Sequence, residues 1–303
     1  MRCTSFSVVL LCIFKCIGLV LAICTVSKHE AGSANRLQCS NVTLQVVSNQ
    51  TADVLAILVF NSDLRYIGER AFVKYAQYLQ SLNIHDCHIN DIHPGAFRGL
   101  VSLKKLSLPN NNITQVRGEW FKDLVHLEQL DLSFNQIGII APPGFSRMIL
   151  LKRLDIRENR LSCVHPVTLP GGIDKLYFVG NPLSFNCRRQ LTLWMRDHGV
   201  SYKNELSEKE AWLDKLLWLC AIGDASVANS EVLMKECVIL NLFNQLRTGL
   251  ETAESYPLAV DCAAARDDLT DCIIEQAQKF KLLTNGNVIK ELLLYIHQAM
   301  SNV

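Results

Sequence analysis

A repeating period in the apolar residues constrains this chain more than any other feature. With Leu79 as position 0, apolar residues fall at positions 3, 5, 10 and 13, and an aromatic at position 18. The pattern restarts at equal intervals, at Leu103, Leu127 and Leu151. It extends back to Val54 (Ile57, Val59, Leu64, Ile67, Phe72) and forward to Ile173 (Leu176, Phe178, Leu183). The position-18 residues are Phe72, Phe97, Phe121, Phe145 and then Leu169. An ordinary α/β core does not hold such a register; stacked units do, because each buries the apolar face that its neighbour cannot bury alone.

Position 8 reads Ser62, Cys87, Asn111, Asn135, Asn159 and Asn181. With these residues in place, 54–184 resembles the leucine-rich repeat, L-x-x-L-x-L-x-x-N-x-L, of the longer extracellular type, over about six turns. The resemblance implies an α/β solenoid with a short parallel sheet on its concave side. The L-x-L pair points inward at the period of two that a strand imposes. Positions 10 and 13 and the phenylalanine fill the interior as the chain returns on the convex side. At position 8 the chain turns away from the strand, and a buried side chain there satisfies backbone groups of the adjacent turn. Asparagine does this best. The repeat consensus also accepts cysteine, a small and commonly buried residue with a weak donor. Cys87 is therefore expected to be a free, inert ladder residue alongside Asn111, Asn135, Asn159 and Asn181.

Residues 1–22 read as a secretory signal peptide: one early Arg, a mostly apolar run, then small residues. Cutting after Ala22 gives a start at Ile23; cutting after Cys24 is the alternative. Lys15 interrupts the apolar run, which argues against a permanent span. No other stretch approaches the roughly 20 apolar residues a spanning helix needs. Three sequons, at Asn41, Asn49 and Asn112, are candidate glycosylation sites. Twelve cysteines suit an oxidising compartment, and three of them leave with the signal peptide. If Cys87 is free, the Ala22 cut leaves an even set for pairing. Cys24 and Cys39 are then expected to close an N-terminal cap over residues 23–53. Cys163 lies at position 12 of one turn and Cys187 at position 14 of the next, which favours Cys163–Cys187; Cys187–Cys220 is the rival.

Residues 185–205 read as a C-terminal flank: Asn181 and Pro182 lead into it and Cys187, Leu191, Leu193 and Trp194 follow, but without the paired C-x-C of many such flanks. Residues 206–303 turn helical. Ser207 and Glu210 form a capping box before "AWLDKLLWLCAIGD". "SEVLMKECVILNLFNQLRTGLE" follows, apolar almost all round. Tyr256-Pro257 opens a third helix, and a fourth follows the "NGN" break at 285–287. Cys220, Cys237, Cys262 and Cys272 imply a disulfide-braced all-α domain, with three pairings open.

No catalytic motif is present: no G-x-S-x-G, H-E-x-x-H or phosphate loop. The chain is therefore read as a non-enzyme that calls for no cofactor. A net charge of +1 gives no footprint for nucleic acid. "NIHDCHINDIH" supplies His85, Asp86, His88, Asp91 and His93, types that can bind zinc. The register sends the first three toward the concave face and the last two beyond the strand, so polar surface is favoured over a metal site. The concave face also collects Asp131, Phe134, Arg153, Asp155, Arg157 and Tyr177. Exposed aromatics beside arginines are favoured at binding hot spots, so His85, Asp86, His88 and these six are the candidate partner-binding residues.

Signal segment, short solenoid, following cysteines and helical C-terminal part together resemble the leucine-rich immune proteins of insects. The adjacent double cysteine and heptad coiled coil of that family are missing. The resemblance implies a secreted, extracellular, non-catalytic recognition protein of innate immunity. Its expected partners are other secreted or cell-surface proteins, or microbial surfaces, and the helical part would serve assembly. The alternatives are a carrier of a small apolar ligand and a receptor-like adhesion scaffold.

Overall fold

The structure, a computed structural model, describes residues 22–29, 33–50, 53–202, 206–223 and 225–251. Residues 1–21 of the expected signal peptide, Thr51 of the second sequon, Cys262, Cys272 and the expected third and fourth helices lie outside these residues. The chain divides into two compact units. One is Met1–Asn159 with Pro170–Ile173; the other is Arg160–Leu169 with Asp174–Val303.

The first unit opens with an antiparallel hairpin, β1 (Ile23–His29) and β2 (Ser33–Ser40). Cys24 and Cys39 face each other across it and are joined by a disulfide. A short helix, α1 (Leu44–Ser48), leads into the repeats. The long strands follow as β3 (Ala56–Phe60), β5 (Ser81–His85), β7 (Lys105–Ser107), β9 (Gln129–Asp131) and β11 (Arg153–Asp155). From β2 onward every pairing is parallel, between each of these strands and the next. The register is the sequence period made visible. Leu37, Ile57, Leu82, Leu106, Leu130 and Leu154 are successive partners, and all are buried. Each full burial of this kind is worth about 1.5–3 kcal/mol. The cap strand thus extends the apolar column by one member, and Leu37 covers the end of the stack.

On the return path, two-residue strands pair in parallel: β4 (Tyr66–Ile67) with β6 (Asp91–Ile92), and β8 (Gln115–Val116) with β10 (Ile139–Ile140). Short 3-10 turns at Val73–Tyr75 and Gly118–Phe121 carry the buried aromatics inward. Phe72 stacks on Phe97 at 6.4 Å between centroids, and Phe121 lies 5.8 Å from Phe145. These offset ring pairs continue the interior from turn to turn.

In the second unit, β12 (Lys175–Tyr177) bridges to Ser201. The helices are α2 (Phe185–Asp197), α3 (Glu208–Gly223), α4 (Ala225–Asn229) and α5 (Glu231–Glu251). Ser184 caps α2, its hydroxyl accepting from the Cys187 amide. At α3 the capping box forms: the Ser207 amide and hydroxyl both donate to Glu210 Oε2, at 2.9 and 2.6 Å. Cys187 pairs with Cys163 and not with Cys220. Cys220 pairs with Cys237, tying α3 to α5. A buried polar knot fastens α2 to α3. Arg196 Nη2 lies 2.7 Å from Asp214 Oδ2, the Tyr202 hydroxyl donates to the same carboxylate at 2.9 Å, and the Arg196 guanidinium covers the Trp218 ring. Burial and the Asp214 carboxylate raise the Tyr202 phenol well above its ordinary range. No helix among the described residues is long and apolar enough to cross a membrane.

Candidate binding surface

Side chains at position 8 hold the turns in place. Asn111 Oδ1 accepts from the amides of Cys87 and Ile89, both at 3.1 Å, and its Nδ2 donates to the carbonyls of Ile84, Leu108 and Pro109. Asn135 and Asn159 repeat the scheme one and two turns on, accepting from Ile113 and Ile137. In the second unit, Asn181 accepts from the Leu161 amide. Cys87 is a free thiol, fully buried, and donates to the His85 carbonyl at 3.1 Å. A thiol has no amide oxygen to offer the turn before it. The Leu64 amide, equivalent to that of Ile89, is instead taken by the backbone carbonyl of Cys87 at 3.0 Å. A cysteine therefore fits because the main chain supplies the missing acceptor. Burial pushes the Cys87 thiol up to about 11, which removes it as a nucleophile.

Position 7 comes immediately before, and its backbone is left-handed in each turn of the first unit. Asn61, Asp86, Asn110, Phe134 and Glu158 have φ of 48, 54, 53, 54 and 52°. Asparagine and aspartate tolerate this region; a bulky residue there is an outlier. Phe134 is that outlier, and it is 52% exposed. Nothing in the hydrophobic period announces this constraint, since φ leaves no mark on the apolar register.

Around Phe134 the outward face of the sheet is polar and internally paired. Asp131 accepts from Ser107 Oγ at 3.1 Å and from Ser133 Oγ at 2.7 Å. Asp155, expected to be presented to a partner, is only 3% exposed. Its carboxylate grips Arg157 at two points, Nε to Oδ1 at 3.0 Å and Nη2 to Oδ2 at 2.8 Å. Asp155 is thus a positioning residue for Arg157, and the fork geometry is the strong form of such a pair. Arg153 is exposed on the neighbouring position. Tyr177 belongs to the second unit.

A second group lies at the other end of the first unit. His85 stacks on Phe60, with centroids 5.6 Å apart, and its Nδ1 meets Asp86 Oδ2 at 2.6 Å. His88 Nδ1 lies 3.6 Å from Asp63 Oδ1, and Arg65 holds Asp63 by a side-chain hydrogen bond that lowers its carboxyl pKa. Asp91 and His93 are occupied elsewhere: Asp91 Oδ1 accepts from the Ile92 amide, His93 Nδ1 from the Gly95 amide. Of these five residues, His85 and Asp86 bond to each other, while His88, Asp91 and His93 serve three separate partners. Among the described residues, the group with metal-ligand spacing is Cys163, His165 and Cys187, and its two sulfurs are bonded to each other. Of the sequon asparagines, Asn41 and Asn49 are not buried in the core, while Asn112 is half-buried and its Oδ1 lies 3.4 Å from Gln136 Nε2.

Residues 77–137 match the family described as Leucine rich repeat. No curated protein matches the chain. Among solved structures it is similar to one described as "Crystal structure of TLR13-ssRNA13 complex", at 23% identity and a TM-score of 0.46. That likeness covers 52% of this chain and 23% of the other.

Proposed function

We propose that this leucine-rich-repeat protein is a secreted, non-catalytic recognition protein that binds partner proteins through the outward face of its parallel sheet. Phe134 carries the reading. A large aromatic is half exposed on a backbone conformation that disfavours it, at a position where most other turns use Asn or Asp. Strain of this kind costs about 1–3 kcal/mol and collects at functional sites. Arg157, fixed by Asp155, and Asp131, fixed by two serines, give the neighbourhood preset charges that need little ordering on binding. The helical unit, braced by Cys220–Cys237, serves assembly. A role in innate immunity follows the resemblance carried by the signal segment, short solenoid and helical part.

Site-directed photocrosslinking tests the reading. A benzophenone amino acid replaces Phe134 in the secreted chain, and Tyr66 in a control. Discrete protein adducts in the native fluid from position 134, absent from position 66, are expected. Identical adduct patterns from both positions, or none from position 134, would overturn the surface. The intact mass of the secreted chain, expected to start at Ile23, tests secretion.

A further inference from the structure

The apolar register leaves one column unexplained. Position 22, two residues before each strand-starting leucine, holds Val101, Val125 and Ile149 in three successive turns. None is needed by the core: they are 47, 55 and 76% exposed. The column is bounded, since the equivalent residue is Gln77 at one end and Gly171 at the other. The turns beneath it are locked together, the amides of Lys104, Glu128 and Lys152 donating to the carbonyls of Gln80, Lys104 and Glu128, each at 2.8 Å. His126 Nδ1 also lies 2.7 Å from the Val101 carbonyl oxygen. The exposed aliphatics are therefore held at fixed spacing, as a strip. Contiguous exposed apolar surface on a soluble protein marks an interaction site more often than scattered residues do.

Beside Val125 and Ile149 the strip dips into a cleft of about 510 Å³, walled by Phe121, Leu124, Pro143 and Met148. Gly118 lets this wall close, because a Cβ there would stand 3.0 Å from Pro143 Cδ. Lys122 and Arg147 stand with Glu119 at the rim. Both cations are exposed and make no ion pair among the described residues.

We propose that this flank is a second docking site, and that its occupant is a protein segment carrying one bulky apolar side chain flanked by acidic residues. The cleft takes the apolar anchor, the strip continues the contact along Val101, and the two rim cations take the carboxylates. A small ligand would fill the cleft but leave the strip uncovered. A flat bilayer would cover the strip but not reach Phe121, Leu124 and Met148, which lie below the surface. A buried anchor within a charged rim is the anatomy of a protein interface. The site is separate from the outward face around Phe134, so either can fail without the other.

The probe is the fluorescein-labelled peptide Glu-Asp-Leu-Phe-Asp-Glu, measured by anisotropy against the full secreted chain. The comparison peptides replace its Phe by Ser, or its four acids by Lys. Expected is saturable binding of the first peptide, weakened at least tenfold by Phe-to-Ser and by Ile149→Glu, and unchanged by Phe134→Asn. The double variant Lys122→Glu with Arg147→Glu should switch preference to the Lys-flanked peptide. That switch cannot come from misfolding. Equal anisotropy for all three peptides, or loss of binding in Phe134→Asn, would overturn the site. So would Ile149-dependent binding to phosphatidylglycerol vesicles with no peptide binding.

Discussion

Two replacements of Phe134 separate what its backbone costs from what its ring contributes. At φ 54° a residue with an ordinary Cβ bears about 1–2 kcal/mol of left-handed strain, and asparagine escapes much of it by local hydrogen bonding. Full burial of a phenylalanine is worth about 1.5–3 kcal/mol, so a ring left 52% exposed contributes roughly 1 kcal/mol. Phe134→Ala loses the ring and keeps the strain, and is expected to destabilise by about 1 kcal/mol. Phe134→Asn loses the same ring and recovers about 1 kcal/mol of strain, leaving stability near that of the parent. In a unit of this size the gap between the variants is about 2–4 °C in Tm. Calorimetric melting of the three chains measures it, alongside partner capture at the sheet face. Both variants should lose partner affinity by roughly 30-fold, the scale of a hot-spot truncation of about 2 kcal/mol. Equal melting of Ala and Asn would refute the strain. An Asn variant that keeps its partner would refute the idea that strain is tolerated for binding.

Asn111→Ala orphans two buried amides and should cost about 3 kcal/mol in urea unfolding, whereas Cys87→Ala removes one weak donor and should cost about 1 kcal/mol. With its pKa raised to about 11, the Cys87 thiol stays protonated at pH 8. Iodoacetamide should therefore label it only after denaturation; mass spectrometry showing an alkylated Cys87 in the native chain at pH 8 would contradict its burial. Asp214→Asn strands the largely buried Arg196 and removes the charged acceptor of Tyr202, so the helical unit should lose about 3 kcal/mol, read by circular dichroism during melting.

The strands are legible in the sequence because burial alone selects them: an L-x-L pair can point only one way across a pleat, and Leu82, Leu106, Leu130 and Leu154 come out as direct partners. The opening of α3 is equally local, since Ser207 and Glu210 bond to each other at their own helix start. The short helix Ala225–Asn229 is not legible, because so brief an element carries too little periodicity to register. The outward face is legible only in outline. Alternation says which way Cβ points, not whether the side chain stays out. Asp155 folds down onto Arg157 two residues along, and Ser107 and Ser133 are buried against Asp131, because charges and hydroxyls on one face settle among themselves. The flank column at position 22 hides for the opposite reason. An aliphatic that recurs once per turn reads as one more core position until its exposure is seen.

The ladder weakens toward the N-terminus, and the fold compensates there. In a stacked-repeat chain, stability is close to a sum over nearest-neighbour interfaces, so a turn with a poor link needs support from the next contact outward. Ser62 and Cys87 lack the side-chain amide that links later turns. Ser62 Oγ accepts from the Val42 amide, which fastens its turn to the cap. The return path of the same turn adds two more ties. The Tyr75 hydroxyl donates to the Val47 carbonyl at 2.5 Å, and Lys74 Nζ donates to the carbonyls of Ser48 and Gln50, the open end of α1. The Cys24–Cys39 bond then closes the hairpin that these ties hold. A missing side-chain amide in the first turns and an elaborate N-terminal cap are thus one structural fact. The cap gives the end of the stack what Asn111, Asn135 and Asn159 give its middle.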